Sequence, residues 1–156
     1  MADRIAHRGP DGAGRWDYED DRVTVQLGQR RLAVIDPGTV TGPLTKSGLT
    51  LVYDGELYNA RVLRTELTAR GVRFTTGSDS EVILEAWRAW GPDALGRFRG
   101  MFAFALFDDR SGDLILARDP FGIKPLYFLP RGPGLLFASE LKAIVSAVGP
   151  ELRMEP

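Results

Sequence analysis

Cysteine is absent from this 156-residue sequence, and histidine occurs once. The first absence removes disulfides, thiolate metal sites and cysteine nucleophiles together. The second puts a histidine-based metal cluster out of reach. An excess of one charge is missing too. Lys and Arg number 20 against 21 Asp and Glu, and a net charge of −1 offers nothing to recruit nucleic acid or an anionic membrane. No apolar run approaches the length of a membrane span, and no signal-peptide pattern opens the chain. The expected compartment is the cytoplasm. The remainder is ordinary for a globular protein: 44% apolar and 26% charged residues, in a length that suits one domain with a real core. Residues 1–156 read as a single domain without internal repeats, low-complexity runs or linkers.

One stretch organises the rest, Leu49-Thr50-Leu51-Val52-Tyr53-Asp54-Gly55-Glu56-Leu57-Tyr58-Asn59. An apolar and β-branched run enters Asp54-Gly55, and a helical pattern follows. A buried strand ending at a glycine exposes backbone N–H groups and short side chains at its tip. Asp-Gly is a favoured turn dipeptide, so a tight turn is expected here. The alternative is a ligand site fed by Asp54, Glu56 and Asn59.

Met1 to His7 carries apolar residues at 1, 2, 5 and 6, which reads as the tail of an amphipathic helix. No capping residue precedes it, and two turns are not stable alone. A start lying N-terminal to Met1 is therefore expected. Residues 8–12 form a turn of breakers. Val23–Leu27 and Arg31–Asp36 read as strands, the second opened by Arg31 and stopped by Pro37-Gly38. Ala60–Arg70 is helical, with Val62, Leu63 and Leu67 on one face and Gly71 at its end. Ser78 with Glu81 matches a capping box for a helix that places Val82, Ile83, Ala86, Trp87 and Trp90 on one face. Gly100–Phe107 is apolar on both faces, so its sheet must be covered on both sides. Leu114–Ala117 returns from a hairpin, a second hairpin spans 126–138, and a last helix opens near Ser139. Hairpins with two or three helices and no βαβ alternation argue for an α+β fold with antiparallel sheets.

Several charged residues stand at element ends. Arg31, Glu56 and Asp79 together could clamp a zwitterion, the carboxylate on Arg31 and the ammonium on Asp79 or Glu56. Each has a local alternative: a surface ion pair for Arg31, a helix-dipole partner for Asp79, and a turn cap for Asp119.

Seven ordered motifs carry a family resemblance. They are His7-Arg8-Gly9-Pro10-Asp11-Gly12, Arg31-Leu32-Ala33-Val34-Ile35-Asp36, Asp54-Gly55-Glu56-Leu57-Tyr58-Asn59, Gly77-Ser78-Asp79-Ser80-Glu81, Gly100–Ala105, Arg118–Tyr127 and Ala138–Ala143. In this order they resemble the class II glutamine amidotransferase domain of asparagine synthetases, over nearly the whole chain. The resemblance implies an N-terminal-nucleophile fold, a four-layer α/β/β/α sandwich of two stacked antiparallel sheets between helical layers. It implies glutamine hydrolysis by an N-terminal cysteine that uses its own amino group as base. Ammonia would pass to a synthetase domain that amidates aspartate with ATP. No cofactor belongs to the glutaminase domain itself, since ATP and magnesium go with the synthetase part. L-Glutamine and that synthetase domain are the implied partners, and a homodimer is compatible with the resemblance. By resemblance Arg31 holds the glutamine carboxylate, Asp79 with nearby Glu56 holds the ammonium, and Val34 lines the pocket. The Asp54 position with the Gly55 N–H forms the oxyanion hole.

Three departures stand out. The family's cysteine segment is not in the sequence, which reads as an N-terminally truncated copy. In-frame codons upstream of Met1 are expected to encode Met-Cys-Gly and a short apolar strand. Asp54 stands where the family has asparagine, and a carboxylate has no N–H to donate and would repel a developing oxyanion. No Ser-Gly-Gly-rich loop of a synthetase domain occurs; one is expected beyond Pro156. The sequence is thus read as a glutaminase domain inactive as given. The rivals are a non-catalytic glutamine-binding or interaction remnant, and a scaffold for another amide-forming ligase.

Overall fold

The structure, a computed structural model, describes residues 1–31 and 42–149, with Arg31 described in its backbone only. In chain order, a 3-10 segment at Ala2–Arg8 leads into strands β1 (Gly12–Glu19) and β2 (Thr24–Arg31). Strands β3 (Leu44–Lys46) and β4 (Leu49–Leu57) follow, then helices α1 (Ala60–Ala69) and α2 (Asp79–Trp90). A second 3-10 segment (Gly91–Arg97) precedes β5 (Gly100–Asp108) and β6 (Asp113–Arg118). The hairpin β7 (Tyr127–Arg131) and β8 (Gly134–Ala138) leads to helix α3 (Leu141–Val148). The central sheet has order β3-β4-β5-β6, and every recorded strand pair is antiparallel.

Strand alternation sorts the core into two halves. From β5, Phe102, Phe104 and Leu106 join Leu49, Leu51 and Leu57 of β4 against the helices α1 and α2. On the opposite face, Ala105 and Phe107 of β5 join Val52 of β4, Val25 and Leu27 of β2, and the partly buried Trp16 and Tyr18 of β1. Both faces of β5 are therefore covered, as its unbroken apolar run requires. The 3-10 segment and α3 lie outermost, on β2 and on the β7–β8 hairpin. The order is helices, sheet, sheet, helices, the expected four layers. Phe104 and Phe107 are essentially fully buried. Truncating either to alanine costs about 3–5 kcal/mol.

Several local expectations change. Asp54-Gly55 is not a turn: β4 runs through it to Leu57, because β5 continues alongside and pairs Asp54 with Ala103, Gly55 with Phe102 and Glu56 with Met101. The N-terminal segment is a 3-10 helix with non-helical Ile5 and no buried residue, not a regular amphipathic helix end. Arg31 closes β2 rather than opening a strand, and residues 32–36 lie outside the described residues. Val62 is 66% exposed, so the buried face of α1 is Leu63 and Leu67. Helix α2 buries Val82 to Ala86 without a break, because α1, the sheet and the second 3-10 segment surround it.

The capping box is half formed. Ser78 Oγ accepts from the Glu81 N–H at 3.4 Å, but the Glu81 carboxylate turns away from Ser78. It accepts from the Thr75 and Thr76 N–H groups and from Lys46, at 2.6–3.0 Å. Lys46 reaches Glu85 as well, at 2.7 Å. Burial pushes the Glu81 carboxyl up; Lys46 and the two N–H groups outweigh this and hold it at about 2. A fully buried carboxylate thereby fixes the loop that delivers Asp79.

Candidate functional site

A cavity of about 770 Å³ opens between the central sheet and the two hairpins. Period-two alternation gives it its wall on β4: Val52, Asp54 and Glu56 share the face turned away from the helices. Across the ladder Met101, Ala103 and Ala105 of β5 continue that wall, and Leu136 and Ala138 of β8 stand opposite among the lining residues.

The open edge of β4 is equally ordered. The Phe102 C=O accepts from the Asp119 N–H and its own N–H donates to the Asp119 carboxylate, so its rung with Gly55 is a non-hydrogen-bonded pair. Tyr53, Gly55 and Leu57 then direct their backbone groups away from β5. The Tyr53 carbonyl accepts from Gln29 Nε2 at 3.0 Å, and the Leu57 N–H donates to Asp79 at 2.7 Å. The Gly55 N–H lies on the same edge, between those two rungs.

Asp79 sits in the first turn of α2, where the Ser78 cap sets it. Its carboxylate bonds the end of β4 rather than acting only on the helix dipole. Burial pushes its pKa up, the Leu57 N–H opposes this, and the neighbouring charge of Glu56 adds to it. Glu56 itself is half-buried and has no ion pair or side-chain hydrogen bond among the described residues. The Tyr53 hydroxyl is buried without a partner among the described residues; burial and the Asp79, Asp54 and Glu56 charges push its pKa up, so it stays neutral.

Asp54 is not the isolated, repelling charge that its sequence position suggested. Arg8 Nη2 donates to its Oδ2 at 2.9 Å and Lys124 Nζ to its Oδ1 at 2.8 Å. Arg8 is shared, because Glu140 stands 3.6 Å from its other amino group and also pairs with His7 and Lys142. Lys124 arrives on a loop folded around Asp119, which accepts from the N–H groups of Phe102, Phe121, Ile123 and Lys124. Burial pushes the Asp119 carboxyl up, but those N–H groups more than reverse it. Arg118 closes the same loop by donating to the Gly122 and Lys124 carbonyls at 2.6 and 2.8 Å. Asp119 is therefore a turn organiser.

The structure gathers Asp54, Gly55, Glu56 and Asp79 at one cavity. The Arg31 side chain and Val34 lie outside the described residues. Asn59 turns away, bonding the backbone of Arg97 and Arg99. Arg8 and Lys124 were missed as site residues, because both sit in segments that read as turns. Their signal was charge inside otherwise apolar or breaker motifs. Among the described residues no cluster of His, Asp and Glu is placed to hold a metal ion. No helix among them is long and apolar enough to cross a membrane.

Three comparisons place this arrangement. The Bacillus subtilis (strain 168) protein named asparagine synthetase [glutamine-hydrolyzing] 3 is 40% identical over 150 residues, covering 94% of this chain and 24% of that protein. The putative asparagine synthetase [glutamine-hydrolyzing] of Mycobacterium tuberculosis (strain ATCC 25618 / H37Rv) is 43% identical over 152 residues, 92% of this chain and 23% of the relative. The chain thus spans about a quarter of the length of these relatives. The solved glutamine phosphoribosylpyrophosphate amidotransferase from B. subtilis superposes with a TM-score of 0.67 over 90% of this chain and 38% of that one, at 24% identity, a likeness of fold. Residues 1–156 match the glutamine amidotransferase domain family throughout, and the chain belongs to that family.

Proposed function

We propose that the cavity binds L-glutamine and that the chain is the glutaminase part of an asparagine synthetase-type enzyme. Glutamine hydrolysis would supply ammonia for ATP-dependent amidation of aspartate by a synthetase domain, with ATP and magnesium bound there, in the cytoplasm. The observation that carries this is the convergence of Glu56 and Asp79, from the end of a strand and the start of a helix, on one cavity wall beside the Gly55 backbone edge. Two carboxylates there suit an α-ammonium. Arg31 is assigned the α-carboxylate, Val34 the pocket wall, and Gly55 N–H the oxyanion. The 156 residues contain no cysteine, so they bind without hydrolysing.

Calorimetric titration of the chain with L-glutamine tests this. Saturable binding that disappears in Asp79→Ala and in Arg31→Ala is expected, with no ammonia released above a protein-free control. Absence of saturable binding, or binding indifferent to both substitutions, overturns the proposal.

The carboxylate at position 54, which has no N–H to donate, favours a second reading, a non-catalytic glutamine-binding module. The same titration with L-glutamine in a longer product that carries a cysteine separates the two by ammonia release.

A further inference from the structure

The cavity wall on β4 has charge of opposite sign at its two ends. Around Glu56 and Asp79 it is negative, and Glu56 has no cationic partner among the described residues. Two residues along the same strand face, about 7 Å away, Asp54 carries two cations for one anion. Lys124 and Arg8 both bond it, and both line the cavity. Arg8 is shared with Glu140 at 3.6 Å, whereas Lys124 pairs with Asp54 alone among the described residues.

Lys124 is also held firmly for a loop residue. Its N–H is bonded to Asp119 and its carbonyl to Arg118. Asp119 is buried, and three further backbone N–H groups of the loop and of β5 converge on it. The backbone beneath the ammonium is therefore fixed before any ligand arrives, which lowers the cost of ordering it on binding. An ammonium has three donors, and the bond to Asp54 uses one.

We infer that Lys124, positioned by Asp54 and the Asp119 loop, recognises an anionic side-chain end, so that the cavity takes L-glutamate at least as well as L-glutamine. This rests on the glutamine reading above. The α-ammonium goes to Glu56 and Asp79, and the γ-carboxylate to Lys124. L-Glutamate is the acid that hydrolysis of the L-glutamine amide yields, so the site retains product.

The test is calorimetric titration of the 156-residue chain with L-glutamate and with L-glutamine, for wild type, Lys124→Met and Lys124→Arg. The expected result is wild-type affinity for L-glutamate no weaker than for L-glutamine. Lys124→Met should weaken L-glutamate by about tenfold or more, the scale of one hydrogen bond to a charged group, and L-glutamine by less than about threefold. Lys124→Arg, which keeps the charge, should recover most of the loss. Equal losses for both ligands overturn the inference and leave the glutamine reading standing. So does a wild-type chain that favours L-glutamine by about tenfold, a result independent of whether Lys124→Met folds. A wild-type chain that binds neither amino acid overturns the glutamine reading and this inference with it.

Discussion

Asp54 and Lys124 lie 70 positions apart in the chain and meet at 2.8 Å on the wall of the cavity. The contact joins a strand that belongs to the core to a loop that belongs to the rim. It converts a residue that would repel a negative ligand into one that presents a positive group. Both side chains are roughly a quarter to a third exposed, at 23% and 33%. The pair therefore adds little stability, about 0–1 kcal/mol, and its effect is on recognition.

Asp54→Asn should tighten binding of L-glutamate by about 3- to 10-fold, the scale of one partly screened charge at this range. Asparagine keeps an oxygen to accept from Lys124 and removes the anion between the two cations. The melting temperature should move little. Titration beside a thermal melt checks both, and weaker glutamate binding would mean that Lys124 needs the carboxylate to stay in place.

Asp79 should trade stability for binding. Its folded pKa lies above the 3.8 of the free side chain. The contribution is then fully present below pH 3.8 and is lost as pH rises through the folded value. Asp79→Asn keeps an acceptor for the Leu57 N–H and loses the buried charge. Its melting temperature at pH 7 should equal or exceed that of wild type, while amino-acid binding disappears. Melts across the acid range, paired with titration, would show it.

Glu81 has the opposite sign. Its folded pKa is about 2 against 4.5 when free, so its stabilisation is present above pH 4.5 and fades as pH falls towards 2. The shift corresponds to roughly 3 kcal/mol. Glu81→Gln should lower stability at pH 7 by an amount on this scale, and the two proteins should converge near pH 2. Chemical denaturation at several pH values gives the comparison.

The apolar residues Phe121, Ile123 and Phe128 are 87%, 56% and 63% exposed. Exposed aromatic and aliphatic side chains favour self-association where they adjoin one another. The chain should enhance the fluorescence of a hydrophobic dye while keeping its near-ultraviolet circular dichroism. Phe121→Ser with Phe128→Ser should reduce both dye binding and aggregation. A native chain that leaves the dye dark would refute this.

The two-faced burial of Gly100–Phe107 was legible from composition alone, because no polar residue interrupts that run. That Glu56 and Asp79 would line one cavity was legible too, through motifs rather than periodicity. The passage of β4 through Asp54-Gly55 was not. Local preference favours a turn there, and only a partner strand 40-odd positions away makes extension the lower-energy choice. β1 was missed for a related reason. Its alternation is carried by Gly12, Gly14, Trp16 and Tyr18, and two glycines hide a strand pattern. The role of Lys124 depends on Asp119 folding a loop through four backbone bonds, which no spacing rule encodes.

Gly55 and Gly100 sit where the β4 and β5 backbones come close. A Cβ on Gly55 would run into the Met101 carbonyl, and one on Gly100 into the Glu56 carbonyl. Nearly every substitution at these two positions would therefore push the strands apart. Asp54 and Glu56, by contrast, face the cavity and carry little of the core. A saturation library scored for solubility should be nearly empty at 55 and 100 and well populated at 54 and 56. A lineage could then change the chemistry of the wall one residue at a time while the floor of the site stayed locked. Loss of catalysis and loss of the pocket would be separate mutational events.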